Sequence, residues 1–188
     1  MEFVSLSCPH CDHPLEKDAK QCPQCHQPVV LTIGNSSSLT APQINKMAGA
    51  YKKALTTNPD NEQANSQIGM CYVALKLYDK ALPFLEKAID DNVDNPDTYC
   101  MAAICLLRGK KPFVATRPDI NKMVDYLNAA NMLEPRGIYY HLLGYIKEDY
   151  FERKFLNVSP TSAEEYAMAE QLGVGDDEMA TLKSMLNL

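Results

Sequence analysis

The sequence lacks three features that would direct it to nucleic acid or to a membrane. Positive charge is not in excess, because 18 Lys and Arg face 24 Asp and Glu and leave a formal net charge of -6; such a chain is not drawn to phosphate backbones. No apolar run approaches the ~20 residues that cross a bilayer. The N-terminus shows no basic segment followed by an apolar one, as a secretory signal would. We therefore expect a cytoplasmic globular protein without a membrane span, for which nucleic acid is not a favoured partner.

Cysteine, by contrast, is plentiful, with seven residues in 188. A cytoplasmic protein keeps its cysteines reduced or bound to metal. The first four are Cys8, Cys11, Cys22 and Cys25. Their spacing is Cys-x2-Cys-x10-Cys-x2-Cys, in which each close pair can direct two thiolates at one tetrahedral ion. The segment also repeats itself, because residues 8–15 and 22–29 both read Cys-Pro-x-Cys-x-x-Pro-apolar. We predict that these four cysteines bind one structural Zn2+.

The tetrapeptide Cys-Pro-His-Cys at residues 8–11 also permits a redox interpretation, since thiol-disulfide exchange proteins use two cysteines at this spacing. That chemistry needs a helix to begin at the first cysteine, whereas Pro14 follows Cys11 closely and no amphipathic pattern starts there. Iron in a rubredoxin-like site is the other alternative to zinc. Four thiolates fill every position around zinc, which predicts a closed structural site. The nearby histidines, interpreted as exposed loop residues, are His10, His13 and His26.

Residues 3–30 as a whole resemble a zinc ribbon. The resemblance implies a small β module at residues 1–33, with short strands at 3–7 and 28–33. Asp12 and His26 stand where that family often has Gly after each cysteine pair, and both tolerate a left-handed backbone better than most residues. With few basic residues and a single aromatic, the surface of this module suits a protein partner better than a phosphate backbone.

A change in composition separates this module from the rest of the chain. Residues 34–42, which read GNSSSLTAP, are small and polar, and they predict a flexible linker and a domain boundary. Beyond them the apolar residues take helical spacing, and an internal repeat appears. Residues 44–59 and 120–135 both begin with Ile-Asn-Lys-Met and both end in Pro.

The most complete repeat unit lies between those two segments, at residues 61–96. Its characteristic positions are Ile68, Gly69, Tyr72, Ala81, Leu85 and Ala88. This pattern resembles the tetratricopeptide repeat (TPR), a helix-turn-helix of ~34 residues. Degenerate versions of its first cluster recur at 101–105 and 140–144, each followed by an inserted loop, at 109–119 and 151–161. The resemblance implies a mainly α solenoid of three to four TPR-like helical hairpins over 43–175, with a capping helix at 176–188.

The resemblance also implies a concave groove lined by the first helix of each hairpin. The side chains facing it would be Ser66, Met70, Val73, Tyr99, Ala103, His141 and Tyr145. This mostly apolar and aromatic set suits an extended or helical peptide with hydrophobic anchors. The alternative is that these side chains contact the inserted loops or the terminal helix. Cysteines at 71, 100 and 105 fall at apolar helical positions and are predicted to be core residues.

These features favour a non-enzymatic adaptor, in which the groove holds a protein or peptide partner and the zinc ribbon is a second docking module. The alternative is a nucleic-acid-associated factor, whose ribbon contacts RNA or DNA while the repeats recruit protein; the acidic balance counts against it. An enzyme is the third hypothesis, either a thiol oxidant at Cys8 or a metal hydrolase, and the latter needs an open metal position. We predict no catalytic residue and no cofactor other than zinc.

Overall fold

The computed structural model of the chain describes residues 7–16, 19–36, 39–91 and 94–188. Eight α-helices occur within these residues. Their bounds are α1 Ala41–Thr57, α2 Glu62–Ala74, α3 Tyr78–Asp90, α4 Pro96–Leu107, α5 Arg117–Leu133, α6 Gly137–Ile146, α7 Ser162–Leu172 and α8 Asp176–Leu186. In the described part of the chain, no helix combines the length and apolar character that crossing a membrane requires.

Six of the helices form three hairpins, in which α2 packs on α3, α4 on α5, and α6 on α7. Successive hairpins also stack, because α1 contacts α2, α3 contacts α4, and α5 contacts α6. Each hairpin therefore buries its apolar face against its neighbours, as in a solenoid. The expected mainly α, TPR-like architecture is confirmed, with α1 standing ahead of three complete hairpins.

Two glycines of the recurring sequence cluster allow the helices of a hairpin to approach closely. A Cβ atom at Gly69 in α2 would lie 2.4 Å from Cγ of Leu85 in α3. One at Gly144 in α6 would lie 2.7 Å from the Tyr166 ring in α7. Real Cβ contacts essentially never fall under 3.0 Å. Glycine at these two positions is therefore a packing requirement of the α2–α3 and α6–α7 contacts.

The internal repeat seen in the sequence corresponds to α1 and α5, each 17 residues long. Both helices follow a threonine, Thr40 or Thr116, and both carry Pro in the first turn. The Ile and Met of the shared tetrapeptide are buried in each copy: Ile44, Met47, Ile120 and Met123. The two segments are therefore equivalent helices, each packed against the hairpin that follows it.

The two inserted loops contact each other. The first contains a 3-10 turn, Pro112–Val114, and the second follows a π-helical turn, Lys147–Phe151, that prolongs α6. The backbone N–H of Phe113 donates a 2.7 Å hydrogen bond to the Asp149 carboxylate. The Arg153 guanidinium lies 4.3 Å from the centre of the Phe113 ring. The two loop regions therefore pack against each other on the surface of the array.

The N-terminal module contains no strand among its described residues. Its β-pairing consists of two isolated antiparallel bridges, Ser7 with Pro14 and Gln21 with Pro28. The prediction of a strand at 28–33 is wrong, because Pro28 forms a single bridge and the chain then inserts Leu31 and Ile33 into the core of the helical array. The strand predicted at 3–7 lies outside the described residues apart from its last position. Three module residues form a small buried cluster separate from the main core: Cys8, Cys22 and Val29.

The stretch predicted to be a flexible linker, 34–42, is described except at residues 37 and 38, and its flexibility stays a prediction. Ser36 is buried, and α1 already begins at Ala41. Directly before Ser36, the Asn35 side chain accepts a hydrogen bond from the Thr32 N–H at 2.9 Å and donates one to the Val30 carbonyl at 3.0 Å. The chain therefore leaves the module through an ordered turn. The position of the domain boundary itself stays a prediction.

Candidate metal centre and helical groove

Two turns of nearly the same structure carry the four N-terminal cysteines. In the first turn the Cys8 N–H donates to the His13 carbonyl at 2.8 Å, and the Asp12 N–H donates to the Cys8 carbonyl at 2.9 Å. The equivalent bonds of the second turn measure 3.0 and 2.9 Å. Asp12 and His26, at matching positions, have φ values of 59° and 56°. They adopt the left-handed conformation that their place after each cysteine pair predicts.

The two turns bring four sulfur atoms into one cluster. The Sγ atoms of Cys8 and Cys25 are 3.7 Å apart, and those of Cys11 and Cys22 are 3.6 Å apart. All four lie within 4.8 Å of one another. Zn–S bonds of about 2.3 Å in a regular tetrahedron separate sulfurs by about 3.8 Å. The spacing and the donor set therefore fit a tetrahedral metal site, and no His, Asp or Glu of the described residues joins it.

The cluster also controls the charge of its thiols. Burial disfavours ionisation of Cys22, yet hydrogen bonds from the backbone N–H groups of Cys25 and Gln24 and from neighbouring thiols lower its pKa to about 6. At Cys11 a backbone hydrogen bond from His13 favours the thiolate, but burial and the neighbouring thiols raise the pKa to about 12. Contacts between the thiols thus favour the thiolate form of Cys22 and disfavour that of Cys11.

The cysteine module packs against α1. The Lys46 ammonium group donates to the backbone carbonyl of His10 at 2.7 Å. The Tyr51 hydroxyl, which is buried, donates to the carbonyl of Val29 just after the second turn. Because both acceptors are backbone atoms, these bonds depend on the folded path of the module. The cysteine turns and the first helix of the array therefore support each other.

The structure places the seven predicted groove residues in two environments. Ser66, Met70, Val73 and Ala103 are buried, and Tyr99, His141 and Tyr145 are half-buried. The Ser66 hydroxyl lies 2.6 Å from that of Thr98, between α2 and α4. The Tyr99 ring packs edge-on against a tyrosine of α5, and His141 packs against Tyr166 of α7. The seven do not form one open surface, and their role in binding a partner stays a prediction.

Part of the face formed by α2 and α4 is covered by residues 29–36, which we name the entry segment. Gln67 of α2 bonds both backbone groups of Leu31, accepting its N–H at 2.7 Å and donating to its carbonyl at 3.3 Å. The Ile33 N–H donates to the Asp97 carboxylate of α4 at 3.2 Å. Leu31 and Ile33 are 1% and 0% exposed. Side chains of α2 and α4 thus form hydrogen bonds to the backbone of the entry segment, as they would to a bound extended peptide.

The terminal helix α8 is the second cover. It packs on α4 and buries Leu182, Met185 and Leu186. The Tyr78 hydroxyl at the start of α3 donates to the Met185 carbonyl at 2.5 Å. Beyond the helix, the Asn187 amide oxygen accepts from the Lys76 ammonium at 2.7 Å. The capping helix therefore contacts the middle of the stack and not its last hairpin alone.

A polar network joins the entry segment to α4, α6 and α8. Besides the Ile33 N–H, the buried Asp97 carboxylate accepts from Arg136 at 2.7 Å and from the Tyr139 hydroxyl at 2.6 Å. Arg136 also pairs with Glu178 of α8. Sequence reasoning missed this network. An acidic residue in the first turn of a helix is ordinary, and no local pattern connects Asp97 with an arginine in another hairpin.

The other three cysteines are core residues, as their apolar positions predict. Cys71, Cys100 and Cys105 are 0%, 0% and 1% exposed. Burial raises the pKa of Cys71 to about 12, and burial also raises the pKa values of Cys100 and Cys105. Thiols of this kind remain protonated at neutral pH and are poor nucleophiles.

Comparison with known proteins identifies repeats in the helical part. The family described as tetratricopeptide repeat matches residues 48–111. The solved structure MamA MSR-1 C2 aligns with a TM-score of 0.53 at 18% identity, covering 74% of this chain and 71% of that chain. MamA AMB-1 C2221 aligns with a TM-score of 0.51 at 16% identity, covering 73% and 81%. Identities at this level show similarity of fold. No curated protein matches the sequence.

Proposed function

We propose that the protein is a non-enzymatic scaffold that holds a protein or peptide partner on its helical array. The family match over residues 48–111 spans α2, α3 and α4 in full, and repeats of this kind stack into extended binding surfaces. The observation that carries the proposal is the row of first helices. The contact between Ser66 and Thr98 joins α2 to α4, and that between Asp97 and Arg136 joins α4 to α6. Such a row suits a polypeptide segment rather than a small substrate.

We further propose that the four N-terminal cysteines hold one structural Zn2+. The sulfur separations of 3.6 and 3.7 Å support this assignment. The bound ion would hold the two turns together and supply folding free energy to a module whose own apolar cluster is small. Since sulfur would fill all four positions, the role is structural and not hydrolytic. Held against α1 by Lys46 and Tyr51, the module would be a second docking surface.

The nucleic-acid alternative draws no support from the module. The module at residues 1–33 has two lysines, Lys17 and Lys20, against four acidic residues: Glu2, Asp12, Glu16 and Asp18. Affinity for a phosphate backbone comes from several Lys and Arg contacts. We therefore retain a polypeptide as the partner. The cytoplasmic location stays a prediction.

Affinity capture with the zinc-loaded full chain tests the scaffold function. The full chain is immobilised, polypeptides captured reproducibly from the native cell are purified, and each complex is measured by calorimetry. We expect a saturable complex that weakens at least tenfold when Tyr99, His141 and Tyr145 are replaced together by Ala. Lys53→Ala, on the exposed side of α1, is the control and leaves binding unchanged.

The metal is tested separately from the array. Cys8→Ser with Cys22→Ser removes two of the four proposed ligands while the array residues stay intact. If a partner binds this variant with wild-type affinity, its binding site is the helical array alone. If a partner no longer binds this variant, its binding site includes the cysteine module. A captured partner unaffected by both sets of variants, or measurable turnover of a substrate, would contradict the proposed function.

A further inference from the structure

The connection between α7 and α8 is short and contains two glycines. Three residues, Gly173, Val174 and Gly175, separate the two helices. Gly173 has a φ of 78°, and a Cβ atom there would meet nothing within 4 Å. Glycine accepts both signs of φ, so a segment with two glycines changes direction at little energetic cost. The Gly173 carbonyl packs against the start of α6, because a Cβ atom at Gly137 would overlap it. A change of direction therefore falls after Gly173, where Gly175 precedes α8.

Besides the hydrogen bonds from Tyr78 and Lys76 at its C-terminal end, two kinds of contact hold α8 on the array. Near its N-terminal end, the Glu178 carboxylate pairs with Arg136 at the start of α6. Four, seven and eight residues later, the side chains of Leu182, Met185 and Leu186 are buried. This spacing places the acid and the three apolar residues on one helical face. The array therefore binds this helix through the Arg136 cation at one end and through an adjacent apolar surface on α4, which we name the seat.

The fit of α8 to this seat is imperfect at one position. Thr181 is 2% exposed, and its hydroxyl has no hydrogen-bond partner in the described residues. A buried hydroxyl without a partner weakens the packing of the helix that carries it. A helix with Val at this position would avoid that penalty at nearly the same shape. α8 is thus a weaker occupant of the seat than a related helix can be.

We propose that α8 is an internal ligand of the array, and that the partner is an amphipathic helix which displaces it. This inference rests on the proposed scaffold function and specifies its partner. The partner helix presents an acidic residue at position i to Arg136 and apolar residues at i+3, i+4, i+7 and i+8 to the seat. The chain without its partner is then self-occupied. The apparent association constant for the partner then equals the intrinsic constant multiplied by the fraction of chains in which α8 has left the seat.

A peptide of residues 174–188 provides the probe for this competition. The labelled peptide is titrated into the zinc-loaded full chain, and binding is followed by fluorescence anisotropy. The wild-type chain is compared with Glu178→Arg, which opposes Arg136 with a like charge and so releases α8. Asp177→Arg is the matched control, because it places the same charge in the same first turn at an exposed position. Hydrogen exchange of the α8 amides reports directly on release.

We expect the Glu178→Arg chain to bind the peptide at least tenfold more tightly than the wild type or the Asp177→Arg chain. Its α8 amides should exchange faster, while those of α2 and α4 stay protected. A peptide with Thr181→Val should bind about tenfold more tightly again, since removing a buried unpaired hydroxyl is worth about one such factor. A peptide with Glu178→Arg should lose this affinity. If Glu178→Arg lowers the helical content of the array, Leu182→Ala serves as the second releasing variant.

Three results would overturn the inference. In the first, the α8 amides remain protected from hydrogen exchange in both releasing variants. In the second, the amides exchange faster, so α8 is released, and yet the peptide does not bind. In the third, light scattering shows that the variants dimerise with rising concentration, which makes a second copy the occupant. The scaffold function is judged independently by the captured partner. A partner that binds the wild type and the Glu178→Arg chain equally supports the scaffold and removes the competition.

Discussion

The guanidinium of Arg136 donates a 2.7 Å hydrogen bond to the carboxylate of Asp97, and this contact joins the first helices of two successive hairpins. The Asp97 side chain is 5% exposed and also holds the backbone of Ile33 in the entry segment. The same arginine reaches Glu178 of α8. Because a buried carboxylate is costly unless it has partners, several parts of the chain are coupled through one ion pair.

Loss of that ion pair should destabilise the array. Arg136→Met leaves the Asp97 carboxylate buried without its cation, and we expect the free energy of unfolding to fall by about 3 kcal/mol. Lys87→Met is the control, because Lys87 pairs with Asp60 on the surface, where side chains are 41% and 78% exposed. Exposed pairs contribute little, because solvent screens their attraction, so the free energy of unfolding should change much less in this variant. Urea unfolding followed by circular dichroism measures both variants; equal losses would contradict the central role of Arg136.

Substitution of a proposed metal ligand should abolish metal binding and leave the helices folded. We expect Cys22→Ser to reduce bound zinc from one ion per chain to none, as measured by metal analysis of the purified chain. The far-ultraviolet circular dichroism should change little, since the module has its own buried cluster apart from the main core. Cys71→Ala, in the core, should keep the full metal content. Retention of zinc by Cys22→Ser, or absence of both zinc and iron from the wild type, would refute the site.

Alanine substitutions at two helical glycines should change the free energy of unfolding in opposite directions. Gly69→Ala should lower the free energy of unfolding by about 2 kcal/mol, because the new methyl group overlaps Leu85. Gly49→Ala, on the exposed side of α1 with nothing within 4 Å, should raise it by about 0.5–1 kcal/mol through better helix propensity. Thermal or urea unfolding distinguishes the signs. Stabilisation by both substitutions would mean that α2 and α3 do not approach closely.

Acidification should weaken the array through His141. Burial and the positive charge of Lys183 on α8 lower the pKa of His141. The unfolded chain therefore binds this proton at about pH 6.5 while the folded chain binds it only at lower pH. The stability contributed by neutral His141 is present above that range and is lost as the pH falls through it. Unfolding measured between pH 5 and 8 should show a shallower pH dependence in His141→Gln, and parallel curves for the two chains would exclude His141 as the cause.

Short-range patterns in the chain were sufficient to predict the helices, their pairing and the paired cysteine turns. The spacing of Cys8, Cys11, Cys22 and Cys25 repeats a local turn, and a turn is closed by hydrogen bonds between residues five apart or fewer. The Gly69 and Gly144 positions likewise follow from a pattern within one hairpin. Such features depend on neighbours in sequence, so the sequence contains all the information that they require.

The covering of the face formed by α2 and α4 was decided by tertiary structure alone. Gln67 binds Leu31, Asp97 binds Ile33 and Arg136 binds Glu178 across separations of more than 30 residues. Each of these polar residues is unremarkable in its own helix. Their pairing depends on which faces the stacked hairpins bring together, and burial of charge is tolerated only where that stacking supplies a partner. For this reason residues such as Met70 and Val73, which the repeat pattern places on an open face, lie buried in the folded chain.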